Sequence, residues 1–529
     1  MSTDVLAIVL HQAEDGPGLP AVSDLDRALS YGQLVDEAGH WAAGLEALGV
    51  TEGDRVALLV PNSVDFVVAA LATLWVGAIF VPLAVTDPKA RVEAIVADCS
   101  PTVLVVGGDP DNEGQEDDGA TGADDPVPSR RGPARVRCAD LAASEATMAP
   151  PDAAPAERPA YAIYTSGTTG TPKGVLITHG AFAAAVRATA EVLGLDRSTR
   201  TLCVSPFHFD GSFATLFPTL FAGGAVVIRP REALLFPRTF VRAVQREGIT
   251  YTGFSPSYLK LLLASPQFGE LAGGTLGIIA LGGEATAPAD LRALWAAAPQ
   301  IRVFNRCGPT ETTIAVTHIE LTPELVAGGT VPIGSPHPGV TFHLVDEAGQ
   351  PVDEPGRIGE LYIGGDQLMA GYWGAPDLSA RVLRTDVVAG TTVYRTGDLV
   401  YRDEGGEYVY VDRADRVVKR SGVRISLIEL ADAMHGVPGV SDVTCVVYDK
   451  DGQVGIAAFV VAEGPVSRLE LRQGALRRLP DTMLPDRFEL VDELPLTSSG
   501  KLDERRLLSE AGLHPPGAPA APMAVPCTA

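Results

Sequence analysis

The chain has 529 residues, 46% hydrophobic and 20% charged, a balance that fits a globular enzyme and a length that calls for more than one domain. Its formal net charge of −25 argues against nucleic acid or an anionic membrane as a partner. No apolar run reaches membrane-spanning length, and the start Met1-Ser-Thr-Asp-Val has neither the basic nor the apolar region of a signal peptide, which implies a cytoplasmic protein. The six cysteines (Cys99, Cys138, Cys203, Cys307, Cys445, Cys527) are scattered without CxxC spacing, so neither a zinc site nor a disulfide framework is indicated.

In chain order, apolar spacing predicts a helix over 34–48, a strand from Asp54, a helix over 65–76 and strands from Gly77 and Pro101. Residues 108–159 change character. They are rich in Asp, Gly, Pro, Ala and Glu and read as an exposed, mobile insertion with a strand near 134–137. Tyr161 then leads a strand into a glycine-rich loop. Beyond it come a strand at 175–177, a helix over 180–193, strands at 201–205 and 225–228, and helices over 237–247 and 257–263. A strand at 276–281, a helix over 288–298 and a strand at 301–305 follow. This alternation predicts parallel sheets covered by helices. From 331 to 411, short strands broken by Gly and Pro predict a β-rich subdomain. From Arg413 a small α+β domain is expected, with helices over 427–434 and 468–479 and strands at 440–448 and 454–461. The fold class is therefore α/β: an N-terminal core over 1–412, a small mobile α+β domain over 413–512, and a disordered tail over 513–529.

The loop itself, Tyr164 to Gly174, packs three glycines, four threonines and a serine around Lys173. Glycine lets backbone approach an anion closely, and clustered N–H and hydroxyl donors suit phosphate oxygens. It departs from the usual P-loop, because Pro172 precedes the lysine and no Ser or Thr follows it. By itself the loop indicates a nucleotide phosphate and no particular reaction.

Further motifs follow in a fixed order: Phe209-Asp-Gly-Ser, Gly282-Gly-Glu-Ala, Asn305-Arg-Cys-Gly-Pro-Thr-Glu, Tyr394-Arg-Thr-Gly-Asp, Asp412-Arg-Ala-Asp, Lys419-Arg-Ser-Gly-Val-Arg and Pro495-Leu-Thr-Ser-Ser-Gly-Lys. With the loop, they make the chain resemble the adenylate-forming superfamily of acyl-CoA synthetases, luciferases and nonribosomal peptide synthetase adenylation domains. The resemblance spans Tyr31 to Leu507 and is closest to a free-standing amino acid adenylation enzyme, including the kind that loads β-amino acids for macrolactam polyketides. It implies attack of a substrate carboxylate on the α-phosphorus of ATP, loss of pyrophosphate, and transfer of the acyl group to a thiol. A transition state so rich in negative charge needs placed cations and N–H donors.

Carried over residue by residue, the resemblance implies that Thr165, Ser166, Gly167, Thr168, Thr169, Gly170 and Lys173 grip the β- and γ-phosphates. It places Thr310 on the α-phosphate, Glu311 on Mg2+, and Asp398 and Arg413 on the ribose. Gly283, Glu284, Asn305, Arg306 and Cys307 complete the nucleotide site. The family usually has a tyrosine where Cys307 stands, and cysteine cannot stack on adenine. Lys501 matches the catalytic lysine of the small domain and Asp415 the hinge about which that domain swings, while Ser421 and Gly422 line the thiol tunnel. In the acid pocket, Asp210 matches the carboxylate that holds the substrate amino group, with Gly211, Ala214, Ser257, Ile279, Leu281, Gly282, Arg306, Ile314 and Ala315 as walls. Most members have a small or apolar residue at Arg306. A guanidinium can take a carboxylate bidentately, which points to a substrate with a second carboxylate, such as aspartate, methylaspartate or glutamate.

No carrier domain of roughly 80 residues follows Lys501, so a separate carrier protein bearing phosphopantetheine is the expected acceptor, with free coenzyme A as the alternative. Arg468, Arg472, Arg477 and Arg478 are candidates for docking an acidic carrier. An inactive nucleotide-binding homologue with a scaffold role is the reading from another class. The joint presence of Lys173, Glu311, Asp398 and Lys501 argues against it.

Overall fold

The computed structural model describes residues 4–107, 133–165, 172–413, 417–420, 423–435, 437–495 and 502–516. The chain divides into two compact units, the larger of Met1–Asp87, Val92–Thr165 and Lys173–Ala414, the smaller built mainly from Asp415–Ala529.

The larger unit holds three sheets. Seven strands form one, in the order Gly371–Tyr372, Lys173–Thr178, Pro159–Thr165, Ile79–Pro82, Arg55–Leu59, Val103–Val106, Ala134–Arg137. Eight form the second, in the order Thr317–Leu321, Arg302–Cys307, Ile278–Gly282, Tyr251–Phe254, Arg200–Cys203, Ala225–Ile228, Pro20–Ser23, Ala28–Ser30, parallel except at its two ends. The third is an antiparallel sheet of five strands between Val340 and Arg413, the β-rich region read from the sequence.

Successive strand residues point to opposite faces, and the cores record this alternation. Val226, Ile228 and Cys203 of the eight-stranded sheet share a core with Val56, Leu58, Phe80, Tyr161 and Ile163 of the seven-stranded sheet. Helices Tyr31–Ala47, Val64–Trp75, His179–Leu193 and Phe213–Phe221 contribute to that core. Val227, Leu202 and Val204, one residue out of step, face a second core with helices Pro237–Glu247, Pro256–Leu263 and Pro288–Ala297. The parallel sheets are thus buried on both faces, which is why their strands read as unbroken apolar runs.

Helix starts carry their own caps. Ser30 and Gln33 form a capping box for Tyr31–Ala47, and Thr178 caps His179–Leu193, which ends on Gly194 in the left-handed conformation. In the stretch expected to be an insertion, 108–132 lie outside the described residues. From Ala134 the chain adds the edge strand expected there and a short helix, Cys138–Ala142, whose Leu141 is buried. Among the described residues no helix is long and apolar enough to cross a membrane.

In the smaller unit, strands Val440–Lys450 and Gln453–Ala462 pair antiparallel, and Arg487–Leu490 adds in parallel. Helices Leu427–His435, Arg468–Leu476 and Glu504–Glu510 accompany them. Strands Val417–Arg420 and Val423–Ser426 form a separate two-stranded ladder.

Candidate functional site

The glycine-rich segment joins two antiparallel strands, with Thr165 opposite Lys173 in the ladder. A P-loop runs from strand to helix, so the departure noted in the sequence is also a departure in architecture. Ser166, Gly167, Thr168, Thr169 and Gly170 lie outside the described residues. At the flanks, Thr165 Oγ1 is buried with no hydrogen-bond partner among the described residues. Lys173 is held over the Tyr372 ring, its Nζ 4.4 Å from the centroid, and donates to the Tyr372 hydroxyl at 3.0 Å. That hydroxyl donates to Glu311 Oε1 at 2.7 Å, and Lys173 Nζ lies 3.8 Å from the same oxygen. Glu311 is fully buried, so the cation is drawn to a desolvated carboxylate beside the glycine-rich segment.

Glu311 stands in the turn Thr310–Thr312 that follows strand Arg302–Cys307. Asp210 opens the turn Asp210–Ser212 that leads into helix Phe213–Phe221. Both follow the carboxyl ends of parallel strands of the eight-stranded sheet, the edge at which open α/β sheets place ligands. The Thr310 hydroxyl and the N–H groups of Gly211 and Ile314 lie near the Asp210 carboxylate and favour its charged form. Its Oδ2 is nonetheless buried without a partner. Burial pushes the Asp210 pKa up to about 6, against the Thr310 hydrogen bond and with help from the nearby Glu311 charge.

Arg306 reaches this group across the sheet. Gly282 lies beside it in the ladder, and a Cβ there would stand 2.5 Å from Arg306 Cγ. On the next strand, a Cβ on Gly253 would stand 3.3 Å from Arg306 Nη1. These two bare positions leave the path along which the side chain runs to donate from Nη2 to the Gly211 carbonyl at 3.3 Å. Nη1 is buried without a partner. Burial pulls the guanidinium pKa down, while Tyr251 and Asp210 pull it up. A Cβ on Gly211 would meet nothing within 4 Å, so open space adjoins the residue that follows Asp210 and accepts from Arg306.

Other expected wall residues divide. Ala214, Ile314 and Ala315 are buried in the core that runs between the two large sheets. Ile279 and Leu281 are a correction. They face the second core with Val303, on the side of the sheet away from Arg306. Ala280 and Gly282, which pair with Phe304 and Arg306, share the Arg306 face. A shift of one residue along a strand moves a side chain to the other face, and a strand apolar on both sides gives no sign of which parity is which. Ser257 lies in the first turn of its helix, where its N–H and hydroxyl donate to Glu284 Oε2 at 3.0 and 2.6 Å. Glu284 therefore caps that helix from the far side of the exposed, positive-φ Gly283.

Asn305 donates from Nδ2 to the Pro332 carbonyl at 2.7 Å, and Cys307 is half-buried against Val316 and its neighbours. Asp398 is buried and lies opposite Arg413 in the ladder between strands Thr391–Arg402 and Tyr408–Arg413. Asp415, Ser421, Gly422 and Lys501 lie outside the described residues. Of the arginines considered for docking, Arg468 pairs with Glu489 at 2.7 Å and Arg472 with Asp481 at 3.0 Å. Sequence reading missed Tyr372, which links Lys173 to Glu311, and Gly253, whose missing side chain admits Arg306. Neither carries a local signal.

Comparison with known proteins agrees with this architecture. Residues 9–373 match the family described as AMP-binding enzyme, and residues 429–501 the AMP-binding enzyme C-terminal domain. The chain is 33% identical over 531 residues to the phenyloxazoline synthase MbtB of Mycobacterium tuberculosis, covering 98% of this chain but only 35% of that longer protein. It is 33% identical over 510 residues to the L-proline–[L-prolyl-carrier protein] ligase of Streptomyces coelicolor, covering 94% of each. Among solved structures, that of IdnL1 superposes with a TM-score of 0.78 at 30% identity, covering 94% of this chain and 99% of the other. That of holo-PA1221, a nonribosomal peptide synthetase protein containing adenylation and PCP domains, gives 0.81 at 25%, covering 96% and 84%. The chain belongs to the AMP-binding enzyme family, within the adenylate-forming superfamily.

Proposed function

We infer that the protein activates an amino acid carrying a second carboxylate as its aminoacyl adenylate and passes it to the phosphopantetheine thiol of a separate carrier protein. One observation carries the substrate assignment. A partly exposed aspartate and a buried arginine, each with one buried, unpaired atom, meet at Gly211, which has open space beside it, past the carboxyl edge of the sheet. Buried polar groups left unpaired are costly, and a ligand with complementary groups removes that cost. An ammonium on Asp210 Oδ2 and a carboxylate on Arg306 Nη1 would do so. Fatty and aryl acids would leave Asp210 unpaired.

The remaining carboxylate of the amino acid attacks the α-phosphorus of ATP, and pyrophosphate leaves. The carrier thiol then attacks the acyl carbon, and AMP leaves. Lys173 and the glycine-rich segment hold the departing phosphates, Asp398 and Arg413 the ribose, and Thr310 the α-phosphate. Mg2+ is commonly held by one or two carboxylates and the substrate's own phosphates, and Glu311 would be the protein ligand here. Where bound, it neutralises developing phosphate charge. Lys501 bridges substrate carboxylate and nucleotide in the first step only. The resemblance to the carrier-protein ligase supports the acceptor.

The test is ATP–pyrophosphate exchange with aspartate, 3-methylaspartate, glutamate, their amides and apolar amino acids. Dicarboxylic substrates should give the highest rates, and Arg306→Ala should abolish that preference. Higher rates with apolar amino acids, and an unchanged profile for Arg306→Ala, would overturn the substrate class. Lys501→Ala should lose exchange yet still transfer a supplied adenylate to a holo carrier.

A further inference from the structure

Three buried polar side chains outside the residues assigned above form a continuous chain. His318 lies directly opposite Arg306 in the ladder. Its Nδ1 is 2.9 Å from Nε2 of His337, and the two rings are nearly parallel at 8°. His337 Nδ1 is 3.0 Å from Gln367 Oε1. The Gln367 amide nitrogen donates to the carbonyls of Ala315 at 2.7 Å and Thr313 at 3.2 Å, with a longer 3.4 Å contact to that of Thr312. The Gln367 main-chain carbonyl accepts from the Thr313 hydroxyl at 2.7 Å.

Hydrogen-bond capacity orders the protons along this chain. The amide nitrogen faces carbonyls, so the amide oxygen faces His337 and Nδ1 there carries the hydrogen. A neutral His337 then accepts at Nε2 from His318 Nδ1–H. His318 Nε2 is left bare, and it is buried without a partner. Burial disfavours the charged form of both imidazoles, and at His318 the positive charge of a protonated His337 or of Arg306 would disfavour it further.

The chain ends on a strained turn. Thr313 and Ile314 have φ of 60° and 69°, a region that residues with a Cβ occupy only when their surroundings impose it. The N–H of Ile314 lies near the Asp210 carboxylate and favours its charged form.

We propose that His318, His337 and Gln367 are positioning residues for amino acid selection. Gln367, aligned by the two histidines, locks the Thr313–Ile314 turn and so fixes the Ile314 N–H beside the Asp210 carboxylate that receives the substrate amino group. This rests on the reading of Asp210 given above. The three residues touch neither reactant and act through the turn.

Gln367→Met keeps the length and burial of the side chain and removes its amide. With L-aspartate as the probe in ATP–pyrophosphate exchange, its amino acid KM should rise about tenfold, the loss of roughly one or two net hydrogen bonds, while the KM for ATP stays within about twofold. His337→Phe should shift the same constant in the same direction by less. The double variant should be no worse than Gln367→Met, because both act in one chain. Thr313→Gly, which adopts positive φ without imposition, should restore part of the lost affinity in the Gln367→Met background. Amino acid and ATP KM rising together, or neither moving, would overturn the proposal. Should Gln367→Met fail to fold, His337→Phe gives the same reading through the same two constants. Absence of any amino-acid-dependent exchange in the unaltered protein would overturn the functional reading and this proposal together. Exchange that is amino-acid-dependent but insensitive to these variants would overturn this proposal alone.

Discussion

Two aspartates stand at helix starts in the larger unit, and their surroundings treat them in opposite ways. Asp4 caps helix Val5–Asp15. Its Oδ1 accepts from the Leu6 N–H and lies 3.0 Å from His179 Nδ1, and its Oδ2 accepts from the Ala154 N–H. Burial alone would raise its pKa, but the hydrogen bonds from His179, Ala154 and Leu6 and the electrostatic pull of His179 together outweigh it and the carboxyl is held low. Asp210 has a hydroxyl and two N–H groups nearby and still ends with an orphaned oxygen and a pKa of about 6. Asp4 fastens three segments distant in sequence. Asp210 is left incomplete for a ligand to complete. The number of satisfied lone pairs distinguishes the two more clearly than burial does.

Replacing each acid should expose the difference. Asp210→Asn should lower amino-acid-dependent exchange about 1000-fold, because a site built around a charged acceptor cannot hold an ammonium without it. The same variant should be more stable than the parent by up to about 3 kcal/mol at pH 7. The folded pKa lies above the ordinary 3.8, so the cost of ionising Asp210 is absent below that value, grows as pH rises and is complete above about 6. Urea unfolding at pH 7 and near pH 4 should therefore show the gain at the first and not at the second. A destabilised Asp210→Asn at pH 7 would break the comparison.

Asp4→Ala should cost about 3 kcal/mol of stability and leave the amino acid KM unchanged, since it removes a helix cap and strands the buried His179. The Asp4 pKa is depressed, so its stabilisation is present above 3.8 and is lost as pH falls through the lower folded value. Acid unfolding curves of parent and variant should converge at the acid end.

Arg306→Gln should reduce the preference for aspartate over asparagine about thirtyfold, the scale of a lost charge-assisted pair. Competition between the two substrates for one enzyme measures it directly. An unchanged ratio would place the second carboxylate elsewhere.

The smallest effect concerns His318 and His337. Their folded pKa values lie below the ordinary 6.5, so the unfolded chain takes up protons that the folded one cannot. The stability they allow is complete above pH 6.5 and declines as pH falls below it. The double Phe variant should flatten that limb by about 1–2 kcal/mol between pH 6.5 and 5.5.

Local sequence settled much of the fold. The strand Ala225–Ile228 and the helix Pro237–Glu247 have the bounds read from apolar spacing, because a short β-branched run and a proline-led amphipathic segment each carry a local signal. Helix Phe213–Phe221 was not read, since nearly all of it is buried and Pro218 lies inside it, leaving no polar face to mark its period. Asp210 was legible from its motif and Arg306 from its departure from one.

Tertiary structure alone decided what those two residues face. Strand parity put Ile279 and Leu281 behind the sheet and Ala280 and Gly282 in front, a choice that an apolar run cannot encode. The path of Arg306 needed Gly253 and Gly282 on two neighbouring strands. His318, His337 and Gln367 sit 19 and 30 residues apart in sequence yet within hydrogen-bond reach in space. The sequence by itself determined the family, the order of elements and the charged groups of the site. Which atoms remain unpaired, and so what the site is built to receive, depended on contacts between residues far apart in the chain, because hydrogen-bond satisfaction is a property of the packed molecule.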